Sequence, residues 1–172
     1  MPSPPDPTTL PCDTVLRLAV RKSQRLLEAE CDGGGRRRFP IALSRTPLGA
    51  KTRRGDERMP EGDYRIAGAA RPSRFHLFIP IDYPSIADAD RALRARTIGP
   101  EAHARILAAH RARRFPPQDT PLGGWLGFHG EGVRWRGDLD LDWTQGCVAV
   151  EDATMDWLAR RVRRGMPVSI AP

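Results

Sequence analysis

The chain predicts a mainly β domain with a few helices, and three observations carry that prediction. Short segments with alternating apolar residues, divided by glycine- and proline-rich turns, occupy most of the sequence. One alanine- and arginine-rich stretch, Ile86 to Arg114, has helical composition instead. At 172 residues the chain is long enough to bury one substantial core and too short for two comfortable ones. One domain over residues 14–172 is therefore expected. Residues 1–13 hold five prolines and little apolar content, which predicts a disordered or extended lead-in.

The elements follow in order. Thr14 to Val20 alternates, with Leu16, Leu18 and Val20 on one face of a strand. Gln24 to Glu30 is a second strand, closed by Cys31-Asp32-Gly33-Gly34-Gly35, a run rich enough in glycine to reverse the chain. Arg36 to Leu43 returns as a third, and Pro40 assigns it to an edge or an irregular position. Ser44 to Gly62 reads as loop, turning at Glu61-Gly62 into a strand from Asp63 to Ile66. Arg74 to Ile79 follows, with Phe75, Leu77 and Ile79 facing one way and His76 and Phe78 the other; His76 is expected as a packed or rim residue, with an active-site wall as the alternative. The helical stretch breaks at Gly99-Pro100, and Pro100-Glu101 is a good helix start with Ile106 and Leu107 facing inward. It ends in the loop from Phe115 to Pro121, and the whole insertion is placed to form a lid or cleft wall. Trp125 to His129 reads as a core strand and Gly137 to Asp142 as an acidic loop. Cys147 to Val150 is a strand, Asp152 a fair N-cap for a helix with Met155, Leu158, Ala159 and Val162 on one face, and Val168 to Ile170 a closing strand after Gly165 and Pro167.

Chemistry concentrates in the stretches around His129 and Cys147. A cysteine acts as a nucleophile through its thiolate, and an imidazole is the usual side chain for producing it near neutral pH. Gly146, directly before Cys147, leaves the main chain open to a bound carbonyl, so that the N–H groups of Cys147, Gly146 and Gln145 are candidates for an oxyanion hole. The alternative is a structural cysteine beside a strand histidine. His103 and His110 lie seven apart on one helical face without a third ligand at suitable spacing, which favours a solvated basic face over a metal site. Asp138, Asp140 and Asp142 alternate, yet lack the glycine and terminal glutamate of a calcium loop.

The motif H-G followed by T-x-G-C-V, with eighteen positions from His129 to Cys147, resembles the signature of the L,D-transpeptidase catalytic domain, the YkuD-like family of bacterial cell-wall enzymes. Arg53 to Ile66 is similar to that family's T-P-x-G-x-Y/F-x-I segment, with Met59 where threonine is usual. Arg163 to Ile170 resembles its closing G-T-P-V-x-I strand, and Tyr83-Pro84-Ser85 its Y-P-N loop. The resemblance covers most of Leu16 to Ile170. It implies a curved sheet or sandwich-like β fold with the cysteine in a cleft. Cys147 would be the nucleophile and His129 its base, with the imidazole oriented by a nearby main-chain carbonyl for which Gly130 is the first candidate. Trp143, Thr144 and Tyr83 would line the cleft, although Trp143 is equally suited to the core. The implied reaction takes peptidoglycan stem peptides as donors, forms an acyl-enzyme and transfers it to an amine acceptor of unspecified identity, without metal or organic cofactor. A hydrolase on the same scaffold, a carboxypeptidase or an amidase releasing wall-linked protein, is the alternative within this chemistry. A non-catalytic module binding anionic polymer is the alternative outside it. Two positions beside the cysteine also depart from the common family pattern: Gln145 stands where histidine is frequent, and Ala149 where arginine is.

Composition is consistent with this picture. The net charge is +7 and the isoelectric point near 10.3, with Lys22 and Lys51 the only lysines. The arginines are dispersed and lack interleaved aromatics, which argues against a nucleic-acid partner and for a solvated face or attraction to anionic wall polymers. Cys12 and Cys31 could pair in an oxidising compartment or remain two free thiols. No stretch reaches the length of a membrane span, and the N-terminus lacks the charged and apolar regions of a signal peptide. The periplasm or cell envelope is the compartment that the resemblance implies.

Overall fold

A computed structural model describes residues 8, 10–132 and 142–172. The described residues build two sheets and three α-helices. The first sheet is formed by β1 (Val15–Arg21), β2 (Leu26–Cys31), β3 (Arg36–Pro40), β4 (Gly62–Arg65) and β9 (Pro167–Ala171), in the order β3-β2-β1-β9-β4. The second contains β5 (Arg71–Ser73), β6 (His76–Pro80), β7 (Gly127–His129) and β8 (Val148–Ala149), in that spatial order. Bridges Ala42↔Ala149, Ser44↔Thr144 and Ile66↔Ile81 tie the loops of the two sheets together, and the inward faces share one hydrophobic core that includes Leu18, Leu27, Ile79, Phe128, Val148, Met155 and Leu158.

Several sequence expectations shift by a residue or a partner. A β-bulge between Val15 and Arg17 moves Val15 to the inner face and turns Leu16 out, 42% exposed, because the extra residue inverts the alternation locally. β3 is an edge strand, where Pro40 removes no ladder donor that a neighbour needs. The segment from Arg71 to Pro80 is a hairpin, β5 paired antiparallel with β6 through the turn at Arg74-Phe75. Asp152 is the first helical residue of α3 (Asp152–Ala159), with Glu151 at the N-cap and no side-chain cap bond; its carboxylate instead accepts from the Glu131 N–H at 2.8 Å. Cys12 and Cys31 form a disulfide with Cα atoms 5.2 Å apart, which ties Cys12 to the end of β2; residues 1–7 and 9 of the expected lead-in lie outside the described residues.

The helical stretch divides where Gly99-Pro100 predicts, into α1 (Ile86–Arg94) and α2 (Pro100–Arg111). Ser85 and Asp88 make a reciprocal capping box at the start of α1, satisfying two otherwise orphaned N–H donors. Among the described residues no helix is long and apolar enough to cross a membrane, and no group of three metal-ligating side chains comes together; His103 bonds Asp90 and His110 bonds the Pro84 carbonyl. The acidic loop expected from Gly137 to Asp142 lies, except for Asp142, outside the described residues. Asp142 receives a forked pair of bonds from Arg25 and the N–H of Leu43.

The loop from Ser44 to Gly62 is held by the chain's two lysines, both buried. Lys22 bonds the Gly49 carbonyl and Glu61. Lys51 bonds Asp56 at 2.7 Å and the Arg53 carbonyl, and Asp56 also accepts from the N–H groups of Thr52, Arg53 and Arg58. Burial raises the cost of the Asp56 charge, but the lysine and the three backbone donors outweigh it and hold the carboxyl below its ordinary range.

Candidate active site

The four-stranded sheet places the two candidate reactive groups side by side. β7 and β8 run parallel with Phe128 opposite Val148 and His129 opposite Ala149. Because side chains alternate along each strand, Cys147, one residue before β8, points to the same face as His129. Phe128 and Val148 point to the other face and are completely buried. A cleft of about 590 Å³ opens on the His129 and Cys147 face, within the size range of small-ligand sites.

The His129 ring is fixed on three sides. Its Nδ1 lies 2.7 Å from the Gly130 carbonyl, the carbonyl that the sequence nominates. Phe75 stacks on its face at 4.6 Å between centroids, and Trp143 meets it edge-on at 5.4 Å. A carbonyl only accepts, so Nδ1 carries the proton and Nε2 keeps its lone pair for another partner. Burial disfavours the imidazolium and outweighs the Gly130 bond, while the Arg74 guanidinium adds repulsion, so the His129 pKa lies below the ordinary 6.5. Gly130 itself has no room for a side chain: a Cβ there would sit 2.2 Å from an Asp152 carboxylate oxygen. Its N–H donates to the Phe75 carbonyl at 2.9 Å, which locks the β5–β6 turn against the histidine.

Cys147 is the one free cysteine and is half-buried. Its thiol donates to the Trp125 carbonyl at 3.6 Å. Burial pushes the thiol up to about 11, against the opposing pull of the Gly127 N–H and the Lys51 charge. Both groups therefore rest neutral, a thiol and an imidazole, rather than as the thiolate pair that the sequence motif brings to mind. Gly146 adopts φ 131°, and a Cβ would meet Leu126 at 3.1 Å and the Arg58 carbonyl at 3.2 Å, so only glycine fits at this bend. Thr144 is buried and works as a strut, its hydroxyl donating to the Cys147 carbonyl at 2.7 Å and accepting from the Gly146 N–H at 3.3 Å. Gln145 is exposed on the cleft rim, and Trp143 lies in the wall behind the histidine.

Tyr83 is a correction. It is fully buried and lies outside the cleft lining, where its hydroxyl donates to the Leu122 carbonyl at 3.0 Å. It reaches the site indirectly, through that bond and through its own carbonyl, which accepts from the Gln118 side-chain amide at 2.8 Å. His76 is likewise outside, exposed and bonded to Asp156. The insertion meets the cleft through the loop after α2 rather than through its helices: Phe115 packs edge-on against Trp125 at 5.8 Å, and Gln118 accepts from the Trp125 N–H. The residues that sequence reasoning missed are Phe75, Trp125 and the arginines 45, 71 and 74, all of which line the cleft. A cation or aromatic beside a turn carries no sign of which distant strand it will face.

The family model of the L,D-transpeptidase catalytic domain matches residues 16–170. Among solved structures, the helical cell shape determining protein Pgp2 from Campylobacter jejuni superposes with a TM-score of 0.59 at 18% identity, over 92% of this chain and 48% of that one. Bd1075 of Bdellovibrio bacteriovorus gives 0.55 at 18% identity, over 91% and 48%, and an L,D-transpeptidase from Mycobacterium smegmatis 0.52 at 12%, over 90% and 58%. The fold, mainly β with two sheets and three helices, is thus similar to theirs, and the chain spans about half the length of these solved relatives. No curated protein sequence matches.

Proposed function

This chain belongs to the L,D-transpeptidase catalytic-domain family, and on that premise we propose that it is a cysteine acyltransferase acting on peptidoglycan stem peptides. The observation that carries the proposal is the 2.7 Å contact of His129 Nδ1 with the Gly130 carbonyl, which assigns the ring its tautomer. With Nδ1 committed to the Gly130 carbonyl, the Nε2 lone pair serves the cleft it shares with Cys147.

In this reading His129 acts as a general base during attack. Nε2 takes the thiol proton as the sulfur adds to the carbonyl carbon after the L-centre of the donor's diamino acid. The Gly146 N–H is already directed at Thr144, so the Cys147 and Gln145 N–H groups are the donors assigned to the developing oxyanion. Collapse breaks the peptide bond, and the imidazolium returns its proton to the departing D-alanine amine. The resulting thioester is then attacked by an acceptor amine, whose proton passes through His129 back to sulfur. The hydrophobic wall of Phe75, Trp143 and Leu126 supports transfer over hydrolysis by limiting water at the thioester.

The neighbour named for cell-shape determination supports a role in cell shape, and the Cys12–Cys31 disulfide supports an oxidising compartment such as the cell envelope. The test is intact-protein mass analysis after incubation with a tetrapeptide donor. An acyl adduct confined to Cys147 and lost in Cys147→Ala is expected. A labelled residue elsewhere, with Cys147 unmodified, overturns the assignment.

A further inference from the structure

Among the described residues, three arginines reach the cleft, at positions 45, 71 and 74. Arg45 is neutralised by Glu57 at 2.6 Å. Arg71 and Arg74, both on the β5–β6 hairpin, pair with no carboxylate among the described residues, and both are held by rings instead. The Arg71 guanidinium carbon lies 5.3 Å from the centre of the Phe78 ring and 5.1 Å from that of Trp125. Arg74 sits 4.8 Å from the ring of Phe75, the same ring that stacks on His129. Guanidinium groups stacked in this way keep their planar N–H edges free for an oxygen pair, and have lost much of their rotamer freedom in advance.

Their placement relative to the reactive groups follows from register. Arg71 is opposite Phe78, Phe78 opposite His129, and His129 opposite Ala149. One transverse row of the sheet therefore runs from the Arg71 cation to the candidate base and ends at an uncharged residue. With strands about 4.8 Å apart, β5 lies on the order of 10 Å from β7, a span that about three residues of extended peptide cover. The Trp125 ring that holds Arg71 belongs to the residue whose carbonyl accepts the Cys147 thiol.

We propose that Arg71 and Arg74 form a carboxylate-binding subsite that seats a free carboxylate of the donor peptide and so aligns its scissile carbonyl with Cys147. The proposal rests on the acyl-transfer reading of the cleft and names a specificity determinant for it. Arg71 makes the forked contact, since its guanidinium is clasped between two rings. Arg74 supplies a second charge on the His129 side. The repulsion that Arg74 exerts on a protonated His129 weakens when an anion sits on it, so an anionic donor also favours proton uptake by the base.

Binding to the full chain carrying Cys147→Ser separates this subsite from the chemistry. The probes are a stem tetrapeptide and matched peptides in which each free carboxylate in turn is converted to a primary amide, measured by calorimetry at low salt. One particular amide should bind about tenfold more weakly than the parent, the scale of one charge-assisted contact at a partly open site. Arg71→Gln should erase that preference, Arg71→Lys restore part of it, and added salt shrink it. Arg71 is exposed, so its variants should melt as the parent does. Equal affinity for all the peptides, or a preference that persists in both Arg71→Gln and Arg74→Gln, overturns the subsite. A preference erased by Arg71→Gln together with no acyl adduct in the wild type supports the subsite and sinks the assignment of Cys147 as nucleophile.

Discussion

The ionisation state of Cys147 offers a sharp test of how the site works. With the thiol pushed up to about 11, roughly 3 molecules in 10,000 carry a thiolate at pH 7.5, against about one in eleven for an ordinary cysteine near 8.5. Alkylation by iodoacetamide, which needs thiolate, should therefore run a few hundredfold below the rate of a free cysteine at that pH and keep rising through pH 10. His129 supplies no resident positive charge, because its own pKa is depressed, so His129→Gln should leave the alkylation profile nearly unchanged. The same substitution should slow acylation by a peptide or carbapenem by about 10²- to 10⁴-fold, the range for losing a general base. A depressed histidine pKa keeps the proton-accepting form present at pH 7, and that form is lost only as pH falls below 6.5, so the acid limb of acylation should lie there. An alkylation plateau reached by pH 8 that moves upward in His129→Gln would mean a preformed thiolate–imidazolium pair in place of the neutral one.

Three further outcomes follow from the fold. Thiol titration of the unreduced, denatured protein should find one free thiol, not three, and Cys12→Ser should lower stability by about 3 kcal/mol for a loop of this size, read by urea unfolding. Gly146→Ala should cost about 1 to 3 kcal/mol from its backbone angle, a fall in Tm of roughly 2 to 12 °C, with acylation falling more than folding because Arg58 and Leu126 press on the same bend. Lys51→Met leaves Asp56 buried without its cation and should destabilise by about 3 to 5 kcal/mol at pH 7. In the parent, the Asp56 contribution is present above the ordinary carboxyl pKa of 3.8 and lost as pH falls through its lower folded value; an acid transition that Lys51→Met leaves unmoved would show that the pair contributes little.

What could be read from sequence was local in character. His129, Gly130, Gly146 and Cys147 sit in two short motifs whose spacing and glycines already imply a strand pair and a tight bend, and the helix break at Gly99-Pro100 is written in two adjacent residues. Alternation gave the strands but not the bulge that turns Leu16 outward, since a bulge depends on the partner strand. Tyr83 is expected in the cleft wall from the likeness of Tyr83-Pro84-Ser85 to a Y-P-N loop, whereas its hydroxyl is consumed by the distant Leu122 carbonyl. Asp152 has the composition of a cap, yet its carboxylate serves backbone donors twenty and more residues away. Arg71 and Arg74 stand in R-P-S-R-F, a run without the glycine or asparagine of a two-residue hairpin, so neither the turn nor the cations' approach to His129 was visible before the strands were paired.

In the proposed function, Cys147 carries an acyl group from a wall peptide to an amine. The most direct measurement is mass analysis of the products from a defined tetrapeptide donor, with and without an excess of an amine or D-amino acid. A thioester on Cys147 is expected, whose breakdown yields exchanged or cross-linked peptide in excess of tripeptide once the acceptor is present. Tripeptide alone at every acceptor concentration would contradict it and make the enzyme a hydrolase built on a transpeptidase scaffold.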